Sequence, residues 1–355
     1  MSKKIGILTW HYYSNFGSAL QAFALQQSIK KLGFKSKFVN YRNPKFGRIS
    51  NVKRIARYAL GKILGQKFAY PYILFQMDFL RQTKLVQNKE QAQKLCKKFD
   101  VVVCGSDQIW APNAFNSLYM ADFDSKKTKK VSYAASVGLD DIPKEKAEEY
   151  KRLLSDFYSV SVREETGKQL LKEKCDIDST VVLDPTLLLT VDEYKRLEKN
   201  PFFAHQQPFA FCYFLNKDHK YRKKVEKYAK ENNLKVYGFS ACDKDKEWMS
   251  ELPRVGPREF LWLIANSTMI FTDSYHGTIF SLLYHKDFVT FERFSNEDPI
   301  CQNSRIYQLR DTYGLHDRIV SHESELKKTD YDYKKFDEEL AKKRELSIKY
   351  LKGAI

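Results

Sequence analysis

A short apolar run, a polar loop, an amphipathic stretch and a second apolar run open this sequence, and the order then recurs along the chain. Lys4–Thr9 is apolar and gives way to the loop His11–Ser18. Ala19–Leu32 follows with helical periodicity through Leu20, Phe23, Ala24, Gln27 and Leu32, closed by Gly33, and Lys37–Tyr41 reads as the next strand. This is a strand–loop–helix–strand unit, and parallel strands joined in that way need a crossover helix. The rhythm breaks over residues 42–98, which read as largely helical. It resumes with Phe99–Gly105, Lys130–Ala135, Pro143–Leu154, Tyr158–Val162, Thr166–Lys174 and Thr180–Leu183. It halts at Asp184-Pro185 and starts afresh with Pro208–Leu215, Lys217–Asn232, Lys235–Phe239, Pro257–Ala265, Met269–Thr272, Gly277–Tyr284, Phe288–Phe291 and Ser304–Tyr313.

Two such series predict an α/β protein with two domains, each built on a parallel sheet. The expected division is 1–186, with a helical insert at 42–98, then 187–328, then a charged terminal helix within 329–355. In sheets of this kind ligands bind beyond the carboxyl ends of the strands. The polar loops lie at those ends, and two domains facing each other would set them across one cleft.

Several classes are excluded. The longest apolar run, Phe209–Leu215, has seven residues, far short of the roughly 18 needed to span a bilayer. Lys3 and Lys4 precede only a brief apolar stretch that His11 interrupts, which does not read as a signal peptide, so a cytoplasmic location is expected. Cys96, Cys104, Cys175, Cys212, Cys242 and Cys301 form no CxxC pair. They read as reduced packing thiols, with no metal site expected.

Four loops carry residue types suited to chemistry. Tyr13–Ser18 holds Asn15 and Gly17 before a helix, where backbone N–H groups attract anions; the plain alternative is an N-cap turn. Gly105-Ser106-Asp107-Gln108-Ile109-Trp110 ends a strand in a tight turn, which suits a ligand or merely an Asx cap. Ser161-Val162-Arg163-Glu164 places Arg163 at a strand end, suited to a carboxylate or phosphate, or to a surface pair with Glu164. Thr272-Asp273-Ser274-Tyr275-His276-Gly277 joins strand to helix, with His276 at the positive helix end and Gly277 permitting close backbone approach. No GxSxG elbow accompanies it, so a hydrolase triad is not indicated.

In this order, the segments 15–34, 101–110 (VVVCGSDQIW), 131–138 (VSYAASVG), 161–171 (SVREETGKQLL), 181–189 (VVLDPTLLL), 271–291 (FTDSYHGTIFSLLYHKDFVTF) and 304–315 (SRIYQLRDTYGL) resemble the polysaccharide pyruvyl transferase family. The resemblance runs from residue 5 to about residue 320. It implies a GT-B-like fold of two Rossmann-like domains facing a cleft. It also implies transfer of the enolpyruvyl carbons of phosphoenolpyruvate to two sugar hydroxyls, giving a cyclic ketal and phosphate. On that basis the donor carboxylate or phosphate falls to Arg163, Ser274, His276, Gly277, Thr278 and Arg305. His276 is the acid–base group, imidazole being suited to proton transfer near neutrality. Asn15, Gly17, Ser106 and Asp107 fall on the acceptor side, Asp107 as a base for an acceptor hydroxyl. Phosphoenolpyruvate is a co-substrate, and no cofactor is implied. One departure is that Ser274 stands where some members carry a basic residue, so phosphate charge must be met elsewhere.

Two rivals remain open at this stage. One is a GT-B glycosyltransferase with a nucleotide-sugar donor, for which Glu292 could hold the ribose hydroxyls. The other is a non-catalytic scaffold of envelope assembly.

Charge is unevenly placed. Residues 1–77 hold fourteen Lys or Arg and no Asp or Glu, whereas residues 78–355 hold 47 basic against 44 acidic residues. No nucleic-acid-binding pattern is present, so no nucleic-acid partner is expected. The stretch 42–72 combines Lys and Arg with an apolar face and Tyr58, Phe68, Tyr70 and Tyr72. It suits an anionic membrane surface at the inner face of the cell membrane, or it is a solvated basic helix. An acceptor sugar carried on a polyprenyl pyrophosphate would be met there.

Overall fold

The computed structural model describes the chain except residues 1–2, 43–50, 64–69, 202–206, 218–220, 253, 296–297, 299–300, 322–323, 325 and 327–329. Phe68 and residues 218–220 of the helix expected over Lys217–Asn232 lie outside the described residues. The chain divides into two units, Met1–Leu189 with Ala341–Ile355, and Thr190–Leu340.

The first unit opens with β1 (Lys4–Leu8), α1 (Phe16–Lys31) and β2 (Lys35–Phe38). The insert contributes α2 (Asn51–Ile63), α3 (Pro71–Phe79) and α4 (Lys89–Cys96). It is not helical throughout. Gln82 and Val86 bridge Phe38 and Tyr41 in parallel, so the chain between α3 and α4 runs extended beside β2. Next come β3 (Val101–Cys104), β4 (Lys129–Ser132), α5 (Lys144–Leu154), β5 (Ser161–Val162), α6 (Glu165–Cys175) and β6 (Thr180–Val181). The main sheet has the order β2-β1-β3-β4, all parallel, with Ile5 opposite Ser36 on one side and Val101 on the other. Single bridges from Val131 to Ser159 and from Ala135 to Val162 continue it to the β5–β6 pair. Every residue of β3 is buried, as expected of a parallel strand covered on both faces.

The second unit starts with α7 (Val191–Lys195) and β7 (Phe209–Phe214). It proceeds through α8 (Arg222–Glu231), β8 (Lys235–Ser240), β9 (Ser250–Glu251), α9 (Pro257–Asn266), β10 (Met269–Thr272), α10 (Tyr275–Leu283), β11 (Phe288–Phe291), α11 (Ser304–Tyr313) and β12 (Ile319–Val320). Its sheet is again fully parallel, in the order β12-β11-β10-β7-β8-β9. Ala210, Cys212, Phe271, Val289 and Phe291 form part of its core.

The last helix, α12 (Tyr333–Ala354), departs from the separate terminal segment expected at 329–355. From Ala341 onward it belongs to the first unit. There Arg344 donates to the carbonyls of Leu187 and Leu189 at 2.8 and 3.2 Å, and Leu183 N–H donates to Ser347 Oγ at 3.0 Å. Leu351, Ala354 and Ile355 are buried. The first unit correspondingly runs to Leu189, past the expected boundary at 186.

Strand order reverses at one place in each sheet, between β1 and β3 in the first unit and between β7 and β10 in the second. Those two carboxyl-end crevices are where such sheets hold ligands.

Candidate functional site

At the first crevice the loops after β1 and β3 are tied together. Thr9 Oγ1 donates to the Ser106 carbonyl at 2.7 Å, and Gln21 Nε2 donates to Thr9 Oγ1, Trp10 O and Ser18 O at 3.2, 3.2 and 3.0 Å. Asn15 caps α1, its Oδ1 accepting from Ser18 N–H at 3.0 Å. Gly17 is buried in the first turn. Asp107, expected to act on an acceptor hydroxyl, is a bracket between these loops. It accepts from Ser18 Oγ at 2.5 Å and from Gln108 N–H at 2.9 Å, and is 6% exposed. Ser106 likewise bonds within the fold. It is fully buried and donates to the Ala134 carbonyl at 2.8 Å. The turn can lie this close to the next strand because position 105 is glycine at φ +126; a Cβ there would collide with the Tyr133 carbonyl.

Aromatic rings surround this crevice. Tyr12 and Tyr13 stack with centroids 4.5 Å apart, Trp10 meets Tyr13 edge-on at 5.5 Å, and Arg42 lies over Tyr12 at 5.2 Å. Trp10, Tyr12 and Tyr13 are half-buried. His11 beneath them is fully buried, stacked on Phe38 at 5.0 Å, with Nδ1 3.1 Å from the Thr9 carbonyl. Burial lowers its pKa to about 4, outweighing the Thr9 bond that raises it, so the imidazole is neutral near pH 7. The sequence marks His11 only as the first residue of the loop after β1.

Arg163 corrects the strongest cation assignment. The guanidinium was expected at a ligand, but its side chain is 1% exposed and held between two carboxylates. Nε donates to Glu164 at 2.8 Å and Nη1 to Asp184 at 2.9 Å. Asp184 also accepts from Thr186 N–H and Oγ1 at 2.9 and 2.7 Å. This network joins β5 to the turn after β6. A buried cation with two such partners is an internal tie.

The second crevice gathers a histidine, two arginines and a buried carboxylate. Ser274 caps α10, accepting from Gly277 N–H at 3.4 Å, and its own N–H donates to Thr272 Oγ1 at 3.0 Å. His276 lies in the first helical turn, 8% exposed, edge-on to Tyr275 at 5.3 Å. Arg305 lies 5.8 Å over the Tyr275 ring and donates to Gln302 Oε1 at 2.7 Å. Arg293, which the sequence reading missed, donates to the Asp273 carbonyl at 2.9 Å from the end of β11. Its signal was a basic residue two positions past a buried strand.

Asp273 braces this crevice. Its carboxylate accepts from the N–H groups of Leu215 and Asn216, both at 2.7 Å, and from Tyr221 Oη at 2.9 Å. The end of β7 is thereby locked to the end of β10. Thr278 is fully buried and shares a 2.8 Å bond with Thr290 Oγ1, so it fastens α10 to β11 and does not present its hydroxyl to a ligand. Gly277 serves packing as well, since a Cβ would collide with Thr272 Oγ1. The structure therefore brings Ser274, Tyr275, His276, Arg293 and Arg305 together at the positive end of a nine-residue helix. That arrangement can hold an anion and move a proton beside it.

No disulfide joins the six cysteines. Among the described residues no cluster of three His, Cys, Asp or Glu is placed to hold a metal ion, and no helix is long and apolar enough to cross a membrane.

A family model described as polysaccharide pyruvyl transferase matches residues 15–296. No curated protein shows significant sequence similarity to the chain. Among solved structures, UDP-GlcNAc 2-epimerase from Methanocaldococcus jannaschii is similar over 98% of this chain and 93% of its own, at 16% identity and a TM-score of 0.54. The Neisseria meningitidis UDP-GlcNAc 2-epimerase bound to UDP-GlcNAc gives 98% and 93% coverage, 12% identity and a TM-score of 0.51. The UDP-N-acetylglucosamine 2-epimerase from Rickettsia bellii gives 98% and 96%, 12% identity and 0.50. These are GT-B proteins, and the two Rossmann-like units described above give this chain the same fold.

Proposed function

The chain belongs to the polysaccharide pyruvyl transferase family, and from that premise we propose that it transfers the enolpyruvyl group of phosphoenolpyruvate to two hydroxyls of one sugar in a cell-envelope, capsular or exopolysaccharide precursor. Membership makes it an enzyme and a transferase. The observation that carries the donor reading is His276 in the first turn of α10, beside Ser274, Arg293 and Arg305. A donor with a carboxylate and a phosphate needs cations and a helix N-terminus, and this crevice supplies both.

The donor methylene carbon takes a proton, leaving C2 electrophilic. One sugar hydroxyl oxygen bonds to C2. The C2–O bond to phosphate then breaks, and the second hydroxyl closes the ketal. Of the two hydroxyl protons lost, one balances the new methyl group and the other leaves with phosphate. His276 handles the proton at the departing phosphate, imidazole being a side chain that can both give and take one. The Ser274 hydroxyl and the positive end of α10 orient that phosphate, with Arg293 and Arg305 as the nearby cations. Arg163 and Asp107 are positioning residues. The acceptor sugar lies at the first crevice, beside Asn15 and the half-buried faces of Trp10, Tyr12 and Tyr13, since sugar C–H faces pack well on aromatic rings. Neither cofactor nor metal enters this scheme.

Calorimetric titration tests it. Phosphoenolpyruvate should bind and nucleotide sugars should not. The reverse result would replace this reading with a nucleotide-sugar transferase, in which half-buried Glu292, just past β11, would meet the ribose.

A further inference from the structure

Helix α2 is turned outward. Val52, Ile55, Ala56, Ala59, Leu60 and Ile63 recur at intervals of three and four and so form one stripe. In a surface helix such a stripe ordinarily meets the core. Here Val52 is 76% exposed, Ile55 58%, Leu60 41% and Ile63 79%. The buried positions are Arg54 and Gly61, on the opposite face. Arg54 donates to Gln82 Oε1 at 3.1 Å and Tyr58 Oη to Asp78 at 2.7 Å, so the polar face holds the helix to the unit. Among the described residues the other large apolar side chains exposed are Tyr70, Tyr158 and Leu346. Tyr70 lies under Arg57 of the same helix, at 4.8 Å. The exposed apolar surface is therefore concentrated at one place.

Charge decides what covers it. Lys53 and Lys62 flank the stripe, one on each side, and Arg57 lies beyond Lys53. Lys62 is partly balanced by Asp78 at 2.8 Å, the first acidic residue of the chain. All fourteen charges of residues 1–77 are positive. A second copy would bring the same positive field against itself. An apolar stripe one helix wide between rows of cations matches the boundary between acyl chains and anionic headgroups.

We propose that α2 lies in the plane of an anionic leaflet, with Val52, Ile55, Leu60 and Ile63 in the acyl boundary and Lys53, Arg57 and Lys62 at the lipid phosphates. This stands apart from the reaction proposed above, since α2 contributes no residue to either crevice. Co-sedimentation of the full chain with vesicles tests it, using phosphatidylcholine alone and phosphatidylcholine mixed with phosphatidylglycerol. The mixed vesicles should bind the protein at least about tenfold more strongly, and added salt should weaken that binding. Ile55→Glu/Ile63→Glu should lose this binding without lowering the unfolding temperature, because the side chains it changes are exposed. Equal binding to both vesicles, no binding to either, or wild-type binding by the double variant would overturn the proposal. A marked fall in the variant's unfolding temperature would show the stripe covered within the native molecule, and would overturn it as well. Sedimentation velocity closes the remaining case: a wild-type dimer that the double variant converts to monomer would assign the stripe to a second copy.

Discussion

The two crevices share a topology and differ in chemistry. Each lies where strand order reverses, and at each a polar residue caps the helix that follows the strand, Asn15 before α1 and Ser274 before α10. At the first, the carboxylate of Asp107 and the rings of Trp10, Tyr12 and Tyr13 stand around the helix end. At the second, His276, Arg293 and Arg305 do, with the buried Asp273 carboxylate 3.8 Å from Arg293. Parallel sheets fix where a ligand can sit, while a handful of loop residues decide its charge and polarity. The first edge suits a neutral, ring-shaped molecule and the second an anion.

The largest expected effect falls on the second edge. His276→Ala should reduce phosphate release from phosphoenolpyruvate about a hundred- to ten-thousandfold while the chain still unfolds cooperatively. Wild-type turnover in that variant would erase the chemical difference between the edges. Arg163→Met comes next, because it leaves Glu164 and Asp184 as unpaired buried carboxylates. A loss of about 3–5 kcal/mol is expected in denaturant unfolding. A raised KM for phosphoenolpyruvate at unaltered stability would instead return a donor-binding cation to the first unit.

His11 gives the first edge a pH dependence. Its folded pKa of about 4 lies below the ordinary value of 6.5, so the unfolded chain binds the extra proton first. Stability is then full above pH 6.5 and declines as pH falls towards 4, by about 3 kcal/mol in all. His11→Gln should flatten that limb in unfolding curves taken across the window; an unchanged limb would assign the acid sensitivity to other groups. The smallest effect separates the caps. Asn15→Ala and Ser274→Ala should each cost about 1 kcal/mol, but KM for phosphoenolpyruvate should rise only in Ser274→Ala. An equal rise in both would show the two helix ends serving one ligand.

Sequence periodicity made the sheets legible. β10 and β11 have the boundaries expected from Met269–Thr272 and Phe288–Phe291, because apolar runs covered on both faces stop sharply at Asp273 and Glu292. The place of His276 at the start of α10 was legible for the same reason, the loop after β10 being short and polar. The burial of Arg163 was not, since the partner that draws it inward, Asp184, is 21 residues away and reads as a turn residue. Thr278 and Gly277 looked like ligand groups because hydroxyls and glycines serve packing equally well. Amphipathic spacing revealed the stripe on α2 but carries no information about which face is covered. The docking of residues 341–355 was invisible, because its partners at Leu183, Leu187 and Leu189 are more than 150 residues distant.

That last contact also orders biosynthesis. The first unit is finished by a segment translated after the whole of Thr190–Leu340. At about 5–20 residues per second, ribosomes take on the order of ten seconds to make the intervening stretch. Through that interval the surfaces of Leu187 and Leu189 that α12 later covers await their partner. The nascent first unit therefore stands without its final segment through that interval.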